Sequence, residues 1–305
     1  MVQLAWPVIV ARLGIMTMAL VDTIVVGQFS TAELARLSMA FPPVSMILVA
    51  GIGMLGGTSV MAARYQGNGQ INLIGGVWHR ALGYALIFGI IGVPMGLFGR
   101  QILSALGQPA ELIDGASAVL LVLALGLPFH LIYVASAQLM EGLSRPMPGM
   151  VMMLGANVLN LILNLLLVGG FWGLHGYGAL GTAWATTLSR LFLAAGLSLY
   201  IWRLDGHQAM GLRRIGTATS NPYAGAEQFR LGLANGASLT VEQFAFVSMS
   251  VIAGWIGANE LAAYSLTINL LAVIFMIALG LGVAAAVMVS EAWGRKNMAD
   301  VRRLG

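Results

Sequence analysis

The sequence predicts an all-α polytopic membrane protein, and three observations carry that expectation. Of its 305 residues, 59% are hydrophobic and only 9% are charged, whereas a soluble domain carries about 25% charged residues. Apolar runs long enough to cross roughly 30 Å of hydrocarbon, about 20 residues each, recur along the whole chain. Leu, Ala, Met and Gly dominate these runs without strand-like alternation, so each reads as a helix. The mean hydropathy is +0.88. Too few charged residues remain to coat a water-facing surface. A soluble enzyme, a disordered chain and a nucleic-acid binder are therefore poor readings despite the net charge of +4.

Taken in order, about eight spans are expected near residues 4–28, 41–63, 81–103, 116–140, 149–168, 178–202, 229–256 and 262–290. Pro7, Pro94 and Pro128 fall inside spans and read as kinks whose freed carbonyls neighbouring helices can satisfy. The first apolar stretch is too long for a signal peptide and lacks a cleavage site. Basic residues set the orientation. Arg64, Arg80, Arg145, Arg203, Arg213, Arg214, Arg230, Arg295, Lys296, Arg302 and Arg303 fall on one side, and only Arg36 and Arg100 on the other. By the positive-inside rule the N-terminus is expected to be cytoplasmic. The longest polar stretch, 205–228, reads as a cytoplasmic connector rich in Gly, Ser, Thr and Pro.

The segment after the connector repeats the start of the chain. At a constant offset of 227 residues, Leu4 matches Leu231, Gly27 matches Gly254 and Glu33-Leu34-Ala35 matches Glu260-Leu261-Ala262. The same offset pairs Ser38 with Ser265, Gly53 with Gly280, Met61 with Met288 and Gly67 with Gly294. Six spans separate the copies, so both enter the membrane from the same side, as in the parallel repeats of transporters. The expected organisation is an N-terminal six-helix lobe over 1–204, the connector over 205–228, and the first two helices of a parallel-repeat second lobe over 229–305. Such a lobe would need about four more helices for symmetry, so the chain reads as C-terminally truncated.

Few residues are available for chemistry. Cysteine is absent, which removes disulfides, thiolate metal sites and cysteine nucleophiles. The sequence has no H-E-x-x-H, G-x-S-x-G or Walker A motif. An enzyme or ATP-driven pump is not expected, and neither is a cofactor. Ionisable residues inside spans are the informative ones, because a charge in the bilayer is costly. Asp22 lies in the first span. Asn160 and Asn164 lie one helical turn apart on one face of the fifth, and Thr186 lies in the sixth. Helical rise puts all four within one layer, roughly 6–12 Å from the outer edge. A carboxylate flanked by amides and a hydroxyl suits a proton, or Na⁺ held by oxygens, and the charge of Asp22 also makes it a candidate to attract a cationic substrate. Interhelical hydrogen bonding that only holds the bundle together is the plainer alternative.

Glu242 in the seventh span is the second ionisable candidate, for coupling, for substrate or for Na⁺; its repeat mate is Ile15. His130 suits a proton relay or plain packing. Arg12 is expected to snorkel toward the cytoplasm. Arg190 lies deeper, with no partner legible in the sequence.

Three stretches together resemble one family. LAWPVIVARLGIMTMALVDTIVVGQFSTAELA is similar to the first helix and loop of the multidrug and toxic compound extrusion (MATE) family. EGLSRPMPGMVMMLGANVLNLILNLLLVGG resembles its fourth-to-fifth helix region, and GYGALGTAWATTLSR its sixth helix. The resemblance implies a twelve-helix antiporter of two six-helix lobes in the bacterial inner membrane. Its members export organic cations and drugs in exchange for H⁺ or Na⁺ by alternating access. The family's first-helix acid falls on Asp22, its fifth-helix asparagines on Asn160 and Asn164, and the seventh-helix acid of the sodium-coupled branch on Glu242. A lipid-linked oligosaccharide flippase of the same superfamily, or a non-transporting membrane scaffold or receptor, are the rival expectations. Substrate identity and oligomeric state are not legible.

Overall fold

The computed structural model describes residues 2–169, 176–204, 206, 208–213 and 222–304. Residues 205, 207 and 214–221 of the expected connector, Arg214 among them, lie outside the described residues. Twelve α-helices account for nearly all of the rest: α1 (Val2–Phe29), α2 (Thr31–Leu55), α3 (Gly57–Gly67), α4 (Ile74–Leu97), α5 (Gly99–Ala105), α6 (Ala110–Leu125), α7 (Leu127–Gly142), α8 (Met147–Leu167), α9 (Gly178–Trp202), α10 (Pro222–Ile256), α11 (Ala258–Gly294) and α12 (Met298–Leu304). The protein is an all-α polytopic membrane protein.

Three expected spans are broken helices. The span at 41–63 is divided between α2 and α3 at Gly56, that at 81–103 between α4 and α5 at Phe98, and that at 116–140 between α6 and α7 at Gly126. Pro128 sits in the first turn of α7 rather than kinking a continuous helix. Proline suits that position because the first backbone N–H groups of a helix have no intrahelical acceptor.

Seven described stretches are long and apolar enough to cross a membrane: Gln3–Phe29, Thr31–Gly67, Ile71–Leu97, Ala110–Gly142, Met147–Leu167, Gly178–Trp202 and Leu271–Gly294. The expected span at 229–256 is a continuous helix within α10.

The first nine helices form one bundle. α7 packs against α4 and α9, α8 against α1 and α9, and α2 against α6. Its core is aliphatic, with Leu55, Leu120, Leu127, Leu131, Leu139 and Leu193 fully buried. Some polar groups inside it are satisfied locally: Trp78 Nε1 donates to Ser136 Oγ at 3.2 Å, and Tyr133 OH to the Gly149 carbonyl at 3.0 Å. At one end, Ser30 caps α2 by accepting from Glu33 N. Glu33 then pairs with Arg36 and accepts from Ala179 N at 2.9 Å, fastening the start of α2 to the first turn of α9.

α10 and α11 join this bundle along a seam of glycines. α10 lies on α2, and α11 lies on α1 and α3. A Cβ on Gly53 would stand 2.5 Å from Gly236 Cα, so the two helices meet backbone to backbone there. The 227-residue offset recurs in these contacts. Gly53 faces Gly236, and its mate Gly280 faces Ile9, the mate of Gly236. Gly67 abuts the Glu291 carbonyl, while its mate Gly294 abuts the Arg64 carbonyl, and Arg64 and Glu291 are themselves mates. Such an exchange of partners is what a pseudo-two-fold axis between two copies produces. The same seam carries an Arg64–Glu227 ion pair and a hydrogen bond from Arg80 Nε to Gln228 Oε1 at 2.9 Å.

Candidate functional site

Three helices bring their polar residues to one point inside the bundle. α8 runs beside both α1 and α9, so residues on its inward face reach each of them. Asn160 and Asn164 are one turn apart on that face, and both are fully buried. Thr182 and Thr186 are likewise one turn apart on α9. Asp22, only 8% exposed, enters from α1.

The carboxylate of Asp22 is surrounded by donors. Asn164 Nδ2 donates to Oδ1 at 2.7 Å and Asn160 Nδ2 to the same oxygen at 3.1 Å. Thr186 Oγ1 donates to Oδ2 at 2.6 Å. A further contact orders the amides: Thr182 Oγ1 donates to Asn164 Oδ1 at 2.7 Å, which turns the Asn164 NH₂ group toward the acid. Three donors on one carboxylate match an ionised acceptor, which has no proton of its own to give. The four residues expected to share a layer are thus in direct contact, and Thr182 is a fifth that the sequence did not single out. It sits one turn before Thr186, which would have marked it once that face of α9 was known.

A second buried polar group lies on α1 and α7. Arg12 Nη2 is 3.7 Å from Glu141 Oε1, with both side chains largely buried. Arg12 therefore does not snorkel; a carboxylate inside the bundle holds it. Glu141 was missed because the expected span ended at residue 140, whereas α7 continues to Gly142. Among the described residues Glu141 Oε2 has no hydrogen-bond partner, and Glu141 borders a cleft lined also by Ile15, Tyr133 and Ala137. His130, 4% exposed, lies farther along α7 against the ring of Tyr133. Arg190, on α9 one turn beyond Thr186, donates from Nη1 to the Leu123 carbonyl at 3.3 Å.

Glu242 stands apart. It is half-buried on α10 between the exposed Val241 and Phe244. Among the described residues no hydrogen bond or ion pair joins it to the Asp22 group. Among the described residues there is also no group of three or more His, Cys, Asp or Glu that could hold a metal ion.

Comparison with known proteins agrees with this architecture. A family profile described as MatE matches residues 7–166 and 236–304. A probable multidrug resistance protein NorM of Caulobacter vibrioides is 42% identical over 307 residues, covering the whole of this chain and 64% of the relative. The multidrug resistance protein PmpM of Pseudomonas aeruginosa is 27% identical, and the match covers 99% of this chain and 63% of that protein. The chain thus spans just under two thirds of the length of these relatives. Among solved structures, the outward-facing conformation of a multidrug resistance MATE family transporter of the MOP superfamily superposes with a TM-score of 0.86 at 22% identity. That superposition covers 99% of this chain and 66% of the other, and it shows the fold alone.

Proposed function

The chain belongs to the MatE family, and on that premise we propose that it carries the ion-coupling lobe of a multidrug efflux antiporter in which Asp22 binds the coupling proton. The observation that supports this reading is the set of three donors converging on one buried carboxylate. The names of the relatives support the substrate class, organic cations and other small-molecule drugs. The basic residues clustered at one end of the bundle support a cytoplasmic N-terminus in a bacterial inner membrane.

The geometry favours H⁺ over Na⁺ at Asp22. A sodium ion needs several oxygen ligands. Here Asn160 and Asn164 present NH₂ groups to the acid, and the Asn164 oxygen is engaged by Thr182. A proton asks for less rearrangement. When Asp22 Oδ2 is protonated it donates to Thr186 Oγ1, whose hydroxyl rotates away; the hydroxyl serves as donor in one state and acceptor in the other. The two amides keep Oδ1 in place throughout. Protonation thus exchanges one hydrogen bond for another and removes one charge from the bundle interior. A conformation that binds the proton more tightly gains population by that difference in affinity, which is the requirement for alternating access.

A flippase for phosphate-bearing lipids fits less well. It would need basic side chains lining a cleft, but Arg12 is paired with Glu141 and Arg190 donates to the Leu123 carbonyl. The test is transport. Proteoliposomes holding the two-lobed antiporter that contains this lobe, loaded with a fluorescent organic cation and given a pH gradient, should expel it, and Asp22→Asn should abolish the gradient dependence. Gradient-driven efflux of wild-type size in Asp22→Asn overturns the coupling role.

A further inference from the structure

Arg190 is a fixed charge that the transport reading leaves unused. It is 5% exposed and lies in the middle of α9. No carboxylate lies within ion-pairing distance of it among the described residues, yet it and Asp22 are near enough to interact electrostatically. Burying a guanidinium without a compensating charge is costly.

Among the described residues its one hydrogen bond serves the break between α6 and α7. There Thr187 Oγ1 donates to the Val122 carbonyl at 2.9 Å and Arg190 Nη1 to the Leu123 carbonyl at 3.3 Å. Gly126 makes room for both, since a Cβ at that position would stand 2.8 Å from Thr187 Oγ1 and 3.2 Å from Arg190 Nη1. Capping a carbonyl needs only a neutral donor, as Thr187 demonstrates one carbonyl away. The positive charge is left without a structural task.

We propose that Arg190 is a positioning residue for the coupling step: its fixed charge, one turn from Thr186, compensates ionised Asp22 and drives the proton off it. This inference rests on the reading of Asp22 as the proton site. When Asp22 is ionised, the carboxylate and the guanidinium balance each other through the Thr186 turn. When Asp22 is protonated, the guanidinium stands alone in the bundle, so the protonated state carries a penalty. Arg190 therefore keeps the acid able to discharge, where an acid buried alone would hold its proton.

Other charges around Arg190 are accounted for. On α1 and α7, Arg12 is matched by Glu141. His130 and Tyr133 on α7 stay the same in every variant of the test. At the far ends of α2 and α6, Glu33 pairs with Arg36 and Asp114 with Arg100, while Glu111 is exposed. No charged side chain comes from α8.

The test reads Asp22 directly and does not require transport. Infrared difference spectra of the purified chain are recorded across a pH series, and the carboxylic-acid carbonyl band of Asp22 is assigned by its loss in Asp22→Asn. Arg190→Gln removes the charge and keeps a polar side chain; the midpoint of the band should rise, as expected for loss of a nearby opposite charge. Arg190→Lys keeps the charge and should stay close to wild type. Thr187→Val weakens the same helix break without touching charge and should leave the midpoint in place. An unchanged midpoint in Arg190→Gln overturns the proposal, as does an equal shift in Thr187→Val. Should Arg190→Gln fail to fold, Arg190→Lys decides: a retained midpoint supports the role of charge, and a rise of a full unit overturns it. Absence of any titrating band that Asp22→Asn removes is a different result, which defeats the proton-site reading itself.

Discussion

Asp22 and Glu242 lie on helices that the 227-residue repeat makes equivalent, yet they have opposite surroundings. Asp22 on α1 is buried and accepts three hydrogen bonds from α8 and α9. Glu242 on α10 is half-buried, with no hydrogen bond or ion pair among the described residues. Neither acid has an acidic mate: position 249, equivalent to Asp22, is Met249, and position 15, equivalent to Glu242, is Ile15. What the repeat does keep is glycine. Gly53 and Gly280, and Gly67 and Gly294, each occupy mated sites where a backbone or a neighbouring side chain leaves no room for a Cβ. Backbone approach is symmetric between the copies, and chemistry is not. A shared packing seam with one chemically specialised side is what two lobes need if they rock on each other while only one carries the proton.

The contrast can be broken most strongly through the buried charges of the first bundle. Glu141→Ala leaves Arg12 buried without its partner and should cost about 3–5 kcal/mol of stability. Thermal unfolding in detergent would show it, and Arg12→Met combined with Glu141→Met should recover most of the loss. A double variant as unstable as Glu141→Ala alone would contradict the pairing. Next in size is the seam. Gly67→Val and Gly294→Val each force a side chain against a carbonyl and should destabilise by about 1–3 kcal/mol, the range for overpacking. The pseudo-two-fold relation requires similar losses at the two mates; a large loss at one and none at the other would argue against it.

Thr182→Val should cost about 1 kcal/mol by removing one buried hydrogen bond, and Thr182→Ser should restore it. Smallest is Glu242→Gln, expected to stay within about 0.5 kcal/mol of wild type because no described partner is lost. A loss of about 2 kcal/mol or more, the size that a broken buried network produces, would mean that Glu242 is held as firmly as Asp22.

Much of the candidate site was legible before the fold. Helical rise is nearly constant, so counting residues from span ends placed Asp22, Asn160, Asn164 and Thr186 in one layer, and contact between them followed once α8 lay between α1 and α9. Thr182 was not legible, because GTAWATT offers three hydroxyls and only packing decides which face turns inward. The Arg12–Glu141 pair was hidden for two reasons. Glu141 fell one residue outside the expected span, and the neighbour of α1 at that depth is a tertiary fact. The helix breaks at Gly56 and Gly126 were equally opaque, since a glycine in an apolar run serves close packing as readily as a break. Glu242 marks the limit of counting: depth made it a candidate, but depth does not reveal partners.

Proton release on substrate binding tests the central claim most directly. An organic cation is added to the purified chain in weakly buffered detergent solution near the pH where Asp22 is half protonated, and the pH change is followed per cation bound. Competition between drug and proton predicts net proton release by wild type and by Glu242→Gln, and none by Asp22→Asn. Release by Asp22→Asn equal to that of wild type would contradict it and move the coupling site elsewhere in the chain.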